Sequence, residues 1–223
     1  SDRKAVVYGL QTSEKTYASF DISVSNPGGH SSRPRKDNAI YELADALRKL
    51  SAYEFPVQST EQTRASFGFT GKQLGGDLGK AMLRFADNPD DQSAVSVIAA
   101  DPEYVGTLRT TCVATLLKGG HADNALPQLA SATVNCRIFP GVSVESVRAK
   151  IAEVIDNPKA TVKGIGTPYA SDASPMRGDV MQAVRKAVDA NFAGLPIVPS
   201  MSSGATDSLY FRAAGIPSYG VSG

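Results

Sequence analysis

Three stretches of this sequence gather residue types that could do chemistry. Gly28-Gly29-His30-Ser31-Ser32-Arg33-Pro34 presents an imidazole with hydroxyls behind it, straight after two glycines that let a backbone come close to something else. Gly119-Gly120-His121-Ala122-Asp123-Asn124-Ala125-Leu126-Pro127 offers a second imidazole and an amide, Asn124, that can donate and accept. Arg137 follows inside an apolar run, where a guanidinium needs a partner. That partner is either a carboxylate of the protein or, in the sharper reading, a substrate carboxylate held bidentately. The third stretch, Ser203-Gly204-Ala205-Thr206-Asp207-Ser208, is a hydroxyl-rich loop.

These groups suit carboxylate binding and hydrogen-bond donation better than metal chemistry. The chain has two histidines, His30 and His121, and two cysteines, Cys112 and Cys136, at a spacing that matches no zinc finger or ribbon. No bound metal is expected in this chain. A serine hydrolase using Ser31 or Ser203 is the weaker alternative, because no Gly-x-Ser-x-Gly elbow is present and no acid can be assigned to orient His30.

The elements that must position these residues can be read from periodicity. A short apolar run, Ala5-Val6-Val7-Tyr8, comes first. Residues 16–25 read as a strand, with Tyr17, Phe20, Ile22 and Val24 spaced for one face, and residues 38–51 as a helix with Ile40, Leu43, Ala44, Leu47 and Leu50 repeating. Asp37 and Asn38 are its N-cap candidates. Residues 54–105 read as an insertion of loops and short helices, with a helical stretch at 78–85 broken by Asn88-Pro89-Asp90-Asp91. Strands follow at 107–118 and 130–139, then a helix capped by Ser143 with Val144, Val147, Ile151 and Val154 inward, and a strand at 160–165.

That order is βαββαβ, the ferredoxin-like α+β pattern, with a helical insertion. Beyond Gly166 a helix from Asp179 with Val180, Ala183, Val184, Ala187 and Val188 inward, a short strand at Ile197-Val198, a loop at 201–207, a helix at 208–214 and a strand at 216–221 suggest a partial α/β layer. If 107–118 and 130–139 form a hairpin, Cys112 and Cys136 lie nearly opposite each other; they are expected as free thiols, the commoner state, with a disulfide as the alternative if the pair is oxidised.

With 223 residues, 42% hydrophobic, 20% charged and a net charge of +1, the composition is that of an ordinary globular chain with a full core. The near-neutral charge, with no Lys/Arg run, argues against nucleic acid or an anionic membrane as partner. No apolar stretch approaches the roughly 20 residues of a membrane span. The chain opens at Ser1-Asp2-Arg3-Lys4 and stops at Tyr219-Gly220-Val221-Ser222-Gly223, so it is expected to be a fragment from the middle of a longer polypeptide. Its compartment is therefore open, cytoplasmic or secreted.

Together the three stretches, with Asn135-Cys136-Arg137-Ile138-Phe139-Pro140-Gly141 and Gly215-Ile216-Pro217, resemble the M20 family of zinc-dependent peptidases, most of all its carboxypeptidase S-like branch. The resemblance implies a ferredoxin-like lid and dimerisation domain at 14–166, with its insertion at about 54–105, set into an α/β catalytic domain of which 1–13 and 167–223 are parts. It implies that His30 reaches the opposite subunit's active site and stabilises the oxyanion, and that Asn124 and Arg137 hold the substrate, the arginine by its terminal carboxylate. Ser203, Gly204, Ala205 and Thr206 would line the substrate pocket; His121 has no counterpart. The intact parent would be a homodimer with two zinc ions per site, hydrolysing peptide or N-acyl amino-acid amides. Its ligands and glutamate base would lie outside this chain, leaving the fragment inactive. A non-catalytic ferredoxin-like module that dimerises or binds amino acids is the alternative.

Overall fold

The computed structural model describes residues 7–221; the opening tetrapeptide, Ala5-Val6 of the first apolar run and the final Ser222-Gly223 lie outside them. In chain order the first elements are β1 (Tyr8–Glu14), β2 (Thr16–Ser25), the two-residue β3 (Gly29–His30) and α1 (Ala39–Ala52). Four helices follow, α2 (Glu61–Leu74), α3 (Gly76–Asp87), α4 (Gln92–Ala99) and the single turn α5 (Val105–Leu108). Next come β4 (Thr111–Gly119), β5 (Ala125–Leu126), β6 (Leu129–Ile138), α6 (Val144–Ile155) and β7 (Ala160–Ile165). The chain finishes with α7 (Gly178–Asn191), β8 (Ile197–Ser202), α8 (Ser208–Ala213) and β9 (Gly220–Val221).

The larger sheet runs β4-β6-β2-β7, antiparallel throughout, with α1 and α6 packed on one face. This is the mixed α+β architecture and the strand–helix order expected from the sequence. Ala18, Phe20, Ile22 and Val24 of β2 and Ala130, Ala132, Val134, Cys136 and Ile138 of β6 form its buried face. The alternation puts Tyr17 on the opposite, open face at 49% exposure, so it does not join Phe20 in the core as its spacing suggested. On α1 the buried stripe is Ala39, Leu43, Ala46 and Leu50, with Ile40 and Ala44 outside; Asn38 is the cap, accepting from the Ile40 N–H at 2.9 Å. On α6, Ser143 caps, Val147 and Ile151 are buried as expected, and Ile155 rather than Val154 completes the buried stripe.

The insertion is more helical than its sequence suggests. Thr60 opens α2 with a capping box, although Phe67-Gly68-Phe69-Thr70-Gly71 carries two poor helix formers. The second of them serves packing: a Cβ at Gly71 would sit 2.6 Å from the Gly79 carbonyl of α3, so only glycine allows the two helices this close. Residues 107 and 108, read as strand, close α5 instead, and the strand starts at Thr111.

Cys112 and Cys136 do face each other across β4 and β6, as the register predicted, but they are joined as a disulfide rather than held as free thiols. Direct opposition brings their Cα atoms to 4.1 Å, far short of the separation at which a bridge becomes impossible, and outweighs the usual state of isolated buried cysteines.

A second sheet, β8-β1-β9, pairs β1 parallel to β8 and antiparallel to β9. Residues 8–14 thus sit with the C-terminal elements. Met201 and Ser202, read as loop, extend β8, and β9 covers only the end of the strand expected at 216–221. Of the expected inner face of α7 only Val188 is buried; Ala183 and Ala187 are exposed and line an open apolar groove of about 590 Å³ with Tyr8, Phe192 and Val221.

Candidate functional site

The site residues fall into two groups at opposite ends of the larger sheet. At the first end, β3 pairs with β5, setting His30 against Ala125, and the Ser31 N–H donates to the Asn124 carbonyl at 2.9 Å. Asn26 ties the loop's two ends, its Oδ1 accepting from Gly28 and its Nδ2 donating to the Asp37 carbonyl at 2.8 Å. Gly28 is required here. Its φ is +72° and a Cβ would meet the Gln128 side chain at 2.7 Å.

His30 is exposed beside a shallow cavity of about 530 Å³ lined by Gly28, Gly29, Ser32, Arg33 and Arg35. Its Nδ1 accepts the Ser32 backbone N–H at 3.2 Å, with the Ser32 hydroxyl at 2.9 Å. A backbone N–H can only donate, so the neutral ring carries its proton on Nε2 and presents a donor to solvent. Asn124 is exposed next to it, and so is His121. Among the described residues no carboxylate hydrogen-bonds to His30, and the hydroxyl on its ring belongs to Ser32, neither Ser31 nor Ser203.

At the second end Arg137 projects from β6 onto the open face. It stands opposite Tyr17 of β2 on one side and Thr111 of β4 on the other, with its guanidinium 4.7 Å from the centre of the Tyr17 ring. No ion pair among the described residues engages it, so the bland pairing with a protein carboxylate is absent there. Tyr17 also lines a cleft of about 250 Å³ with Tyr169, Leu209 and Tyr210.

The Ser203–Thr206 loop lies at this same end. The Lys15 N–H donates to the Ser202 carbonyl at 3.0 Å, and the Glu14 carboxylate accepts the Thr206 N–H at 2.5 Å while pairing with the buried Arg212. Ser203, Ala205 and Thr206 are exposed, Gly204 half-buried.

Sequence reasoning missed Glu14, Lys15 and Arg212, because consecutive charged residues normally mark a solvated turn. Both Glu14 and Lys15 are buried here, and burial, reinforced by the Arg137 guanidinium, lowers the Lys15 ammonium to a pKa of about 7. Among the described residues no three of His, Cys, Asp and Glu are grouped so as to hold a metal ion.

The distance between the two ends follows from β6 itself. Register places Ala130, near the His30 loop, seven residues from Arg137, or about 23 Å of strand. One chain therefore does not bring His30 and Asn124 to Arg137 and Ser203–Thr206.

A family signature described as the peptidase dimerisation domain (M20_dimer) matches residues 12–163. The chain is 27% identical over 204 residues to a probable carboxypeptidase S-like protein of Dictyostelium discoideum, covering 89% of this chain and 38% of that one. It is 27% identical over 207 residues to the human N-fatty-acyl-amino acid synthase/hydrolase PM20D1, covering 91% of this chain and 41% of that protein. Among solved structures, an M20 family metallo-carboxypeptidase from Sulfolobus solfataricus superposes with a TM-score of 0.58 at 15% identity, over 95% of this chain and 51% of that one. The aminopeptidase PepT of Bacillus cereus does so equally, at 0.58 and 15% identity over 99% of this chain and 46% of that one, a likeness of fold. The chain spans about two fifths of the curated relatives' length.

Proposed function

The chain belongs to the M20 peptidase dimerisation-domain family, and on that premise we propose that it is the dimerising, substrate-holding part of a hydrolase acting on peptide or N-acyl amino-acid amide bonds. The lid runs to residue 166, with its insertion at about 54–105, and begins at Lys15 rather than at the expected residue 14, because Glu14 closes β1 and pairs with Ser202; β1 and the chain from 167 onward belong to the catalytic layer. The carrying observation is the separation of His30 and Asn124, at one end of a sheet, from Arg137, without an ion-pair partner among the described residues at the other end, with an open strand edge running between them.

That strand is β4. It is an edge of the larger sheet, and Val113, Leu116 and Leu117 are 60%, 59% and 69% exposed on it. An apolar open edge invites another strand. If two copies pair β4 to β4 about a two-fold axis, the strands run antiparallel, with the axis near Thr115. The Gly119 end of one copy then lies beside the Thr111 end of the other. His30 and Asn124 of one subunit are carried toward Arg137 and Ser203–Thr206 of its partner. The dimer supplies what one chain lacks.

In the assembled site Arg137, placed over the Tyr17 ring, grips the substrate's terminal carboxylate, and the Ser203–Thr206 loop flanks the chain. His30 of the partner subunit donates its Nε2 proton in a hydrogen bond to the carbonyl oxygen as that oxygen gains charge, with the Asn124 amide beside it. The zinc that the family resemblance implies finds no ligand set among the described residues. No step is therefore routed through a metal here, and its ligands would belong to other parts of the intact protein. The test is hydrolysis of N-acyl amino acids and dipeptides by the intact protein: His30→Ala should lower kcat about 10² to 10³-fold, the usual effect of losing one oxyanion donor. Unchanged kcat would remove His30 from the reaction.

A further inference from the structure

Lys15 is the joint between the two sheets, one residue beyond β1 and one before β2. It is wholly buried, its Nζ donates to the Arg109 carbonyl at 2.6 Å and to the Thr111 hydroxyl at 3.3 Å, and no carboxylate pairs with it among the described residues. Thr111 stands directly opposite Arg137, and opposed residues share a face of the sheet. Tyr17, Arg137 and Thr111 therefore form a row across β2, β6 and β4, with the ammonium at its end.

The other charges near the joint are already engaged. Glu14 holds Arg212 and the Thr206 N–H, and the Arg109 guanidinium turns to Glu54. Ser203 lies close by: a Cβ placed on Gly106 of α5 would be 3.5 Å from the Ser203 Cβ and 3.8 Å from Lys15 Nζ. Two cations thus stand beside the substrate loop with no anion assigned to them. Like charges in a desolvated place repel, and the repulsion is relieved when an anion arrives.

We propose that Lys15 is a positioning residue of the carboxylate subsite, coupling the seating of a substrate carboxylate on Arg137 to uptake of one proton by the Lys15 amine. This rests on the reading that Arg137 receives that carboxylate. Lys15 does not touch the substrate; it fixes the start of β4 against Arg137 and, once a carboxylate lies on the row, takes a proton from solvent and becomes the second cation. Carboxylate affinity then falls as pH rises above about 7, where the empty site holds Lys15 neutral.

The experiment is calorimetric titration of the protein with N-acetyl-leucine at about pH 7.5, in two buffers of different ionisation enthalpy. The wild type should take up between about half and three quarters of a proton per ligand bound, since about a quarter of the Lys15 amines are already protonated at that pH. Lys15→Met should still bind, with no uptake and an affinity flat across that pH range, whereas Lys15→Arg, permanently charged, should also show no uptake. As a readout that does not need the ligand, the Lys15 Nζ titration followed by NMR should move to higher pH in Arg137→Met. Unchanged uptake in Lys15→Met, or an unmoved titration in Arg137→Met, overturns the proposal. If Arg137→Met binds the probe as well as the wild type, or the wild type does not bind it, the carboxylate reading of Arg137 has failed and the proposal falls with it.

Discussion

The Ser31 N–H donates to the Asn124 carbonyl at 2.9 Å, and with the His30–Ala125 pairing beside it this bond locks together two loops more than ninety residues apart in sequence. His30 and Asn124 are thereby one unit. Loosening either loop should disturb both residues. Gly28→Ala forces a side chain into a positive-φ turn against Gln128, so it should cost about 1 to 2 kcal/mol of stability. Thermal melts would measure the loss, and amide shifts of Asn124 and Ala125 should move with those of the 29–32 loop. A variant as stable as wild type with unmoved shifts would show that the turn does not need glycine.

Arg137 separates two substrate classes. In the intact protein Arg137→Met should raise KM at least tenfold for substrates with a free terminal carboxylate, since a charge-assisted pair is worth roughly 1.5 to 3 kcal/mol. Substrates amidated at that terminus should be poor for wild type and little changed by the substitution. Equal losses on both classes would make Arg137 structural.

The dimer edge can be blocked without touching the core. Leu116→Lys with Leu117→Lys places two charges on the open strand, a standard way to stop strand-to-strand pairing. Sedimentation equilibrium should then report a monomer whose melting temperature, at concentrations where wild type is also monomeric, is unchanged. A dimer that survives would move the interface off β4.

Lys15 also makes stability depend on pH. Its folded pKa of about 7 lies below its unfolded value of 10.5, so between these the unfolded chain binds more protons and stability rises with pH. Below about 7 both states are protonated and the full cost of burying the ammonium remains. Lys15→Met should therefore be more stable than wild type at pH 7, by up to a few kcal/mol, since each tenfold weakening of proton binding corresponds to about 1.4 kcal/mol. The difference should shrink toward pH 10. Urea midpoints of both proteins across this range measure it. A constant difference would mean that Lys15 titrates normally.

Much of this was legible in the chain. The caps Asn38 and Ser143, the strand 160–165 and the Cys112–Cys136 register follow from local rules that tertiary packing did not overrule. The β3–β5 pair was not legible. Two residues carry no period, and their partner lies more than ninety residues on in the chain. Nor was α2, whose glycines look like breakers until Gly79 is packed against Gly71. Glu14 and Lys15 stayed hidden because burial of a charge is decided by what surrounds it, here Arg212, Thr206 and the start of β4.

The central claim is that one active site takes His30 from one subunit and Arg137 from the other. Its most direct measurement uses two intact full-length variants, His30→Ala and Arg137→Ala, each assayed alone and after mixing under subunit exchange, with substrate well below KM. In the mixed dimer one of the two sites has the Arg137→Ala subunit's His30 and the His30→Ala subunit's Arg137, so it is complete. Random pairing makes half the dimers mixed, and activity should return to about a quarter of wild type. If exchange is confirmed by mass and activity stays at the sum of the separate variants, His30 and Arg137 serve the same subunit or different tasks, and the split site is wrong.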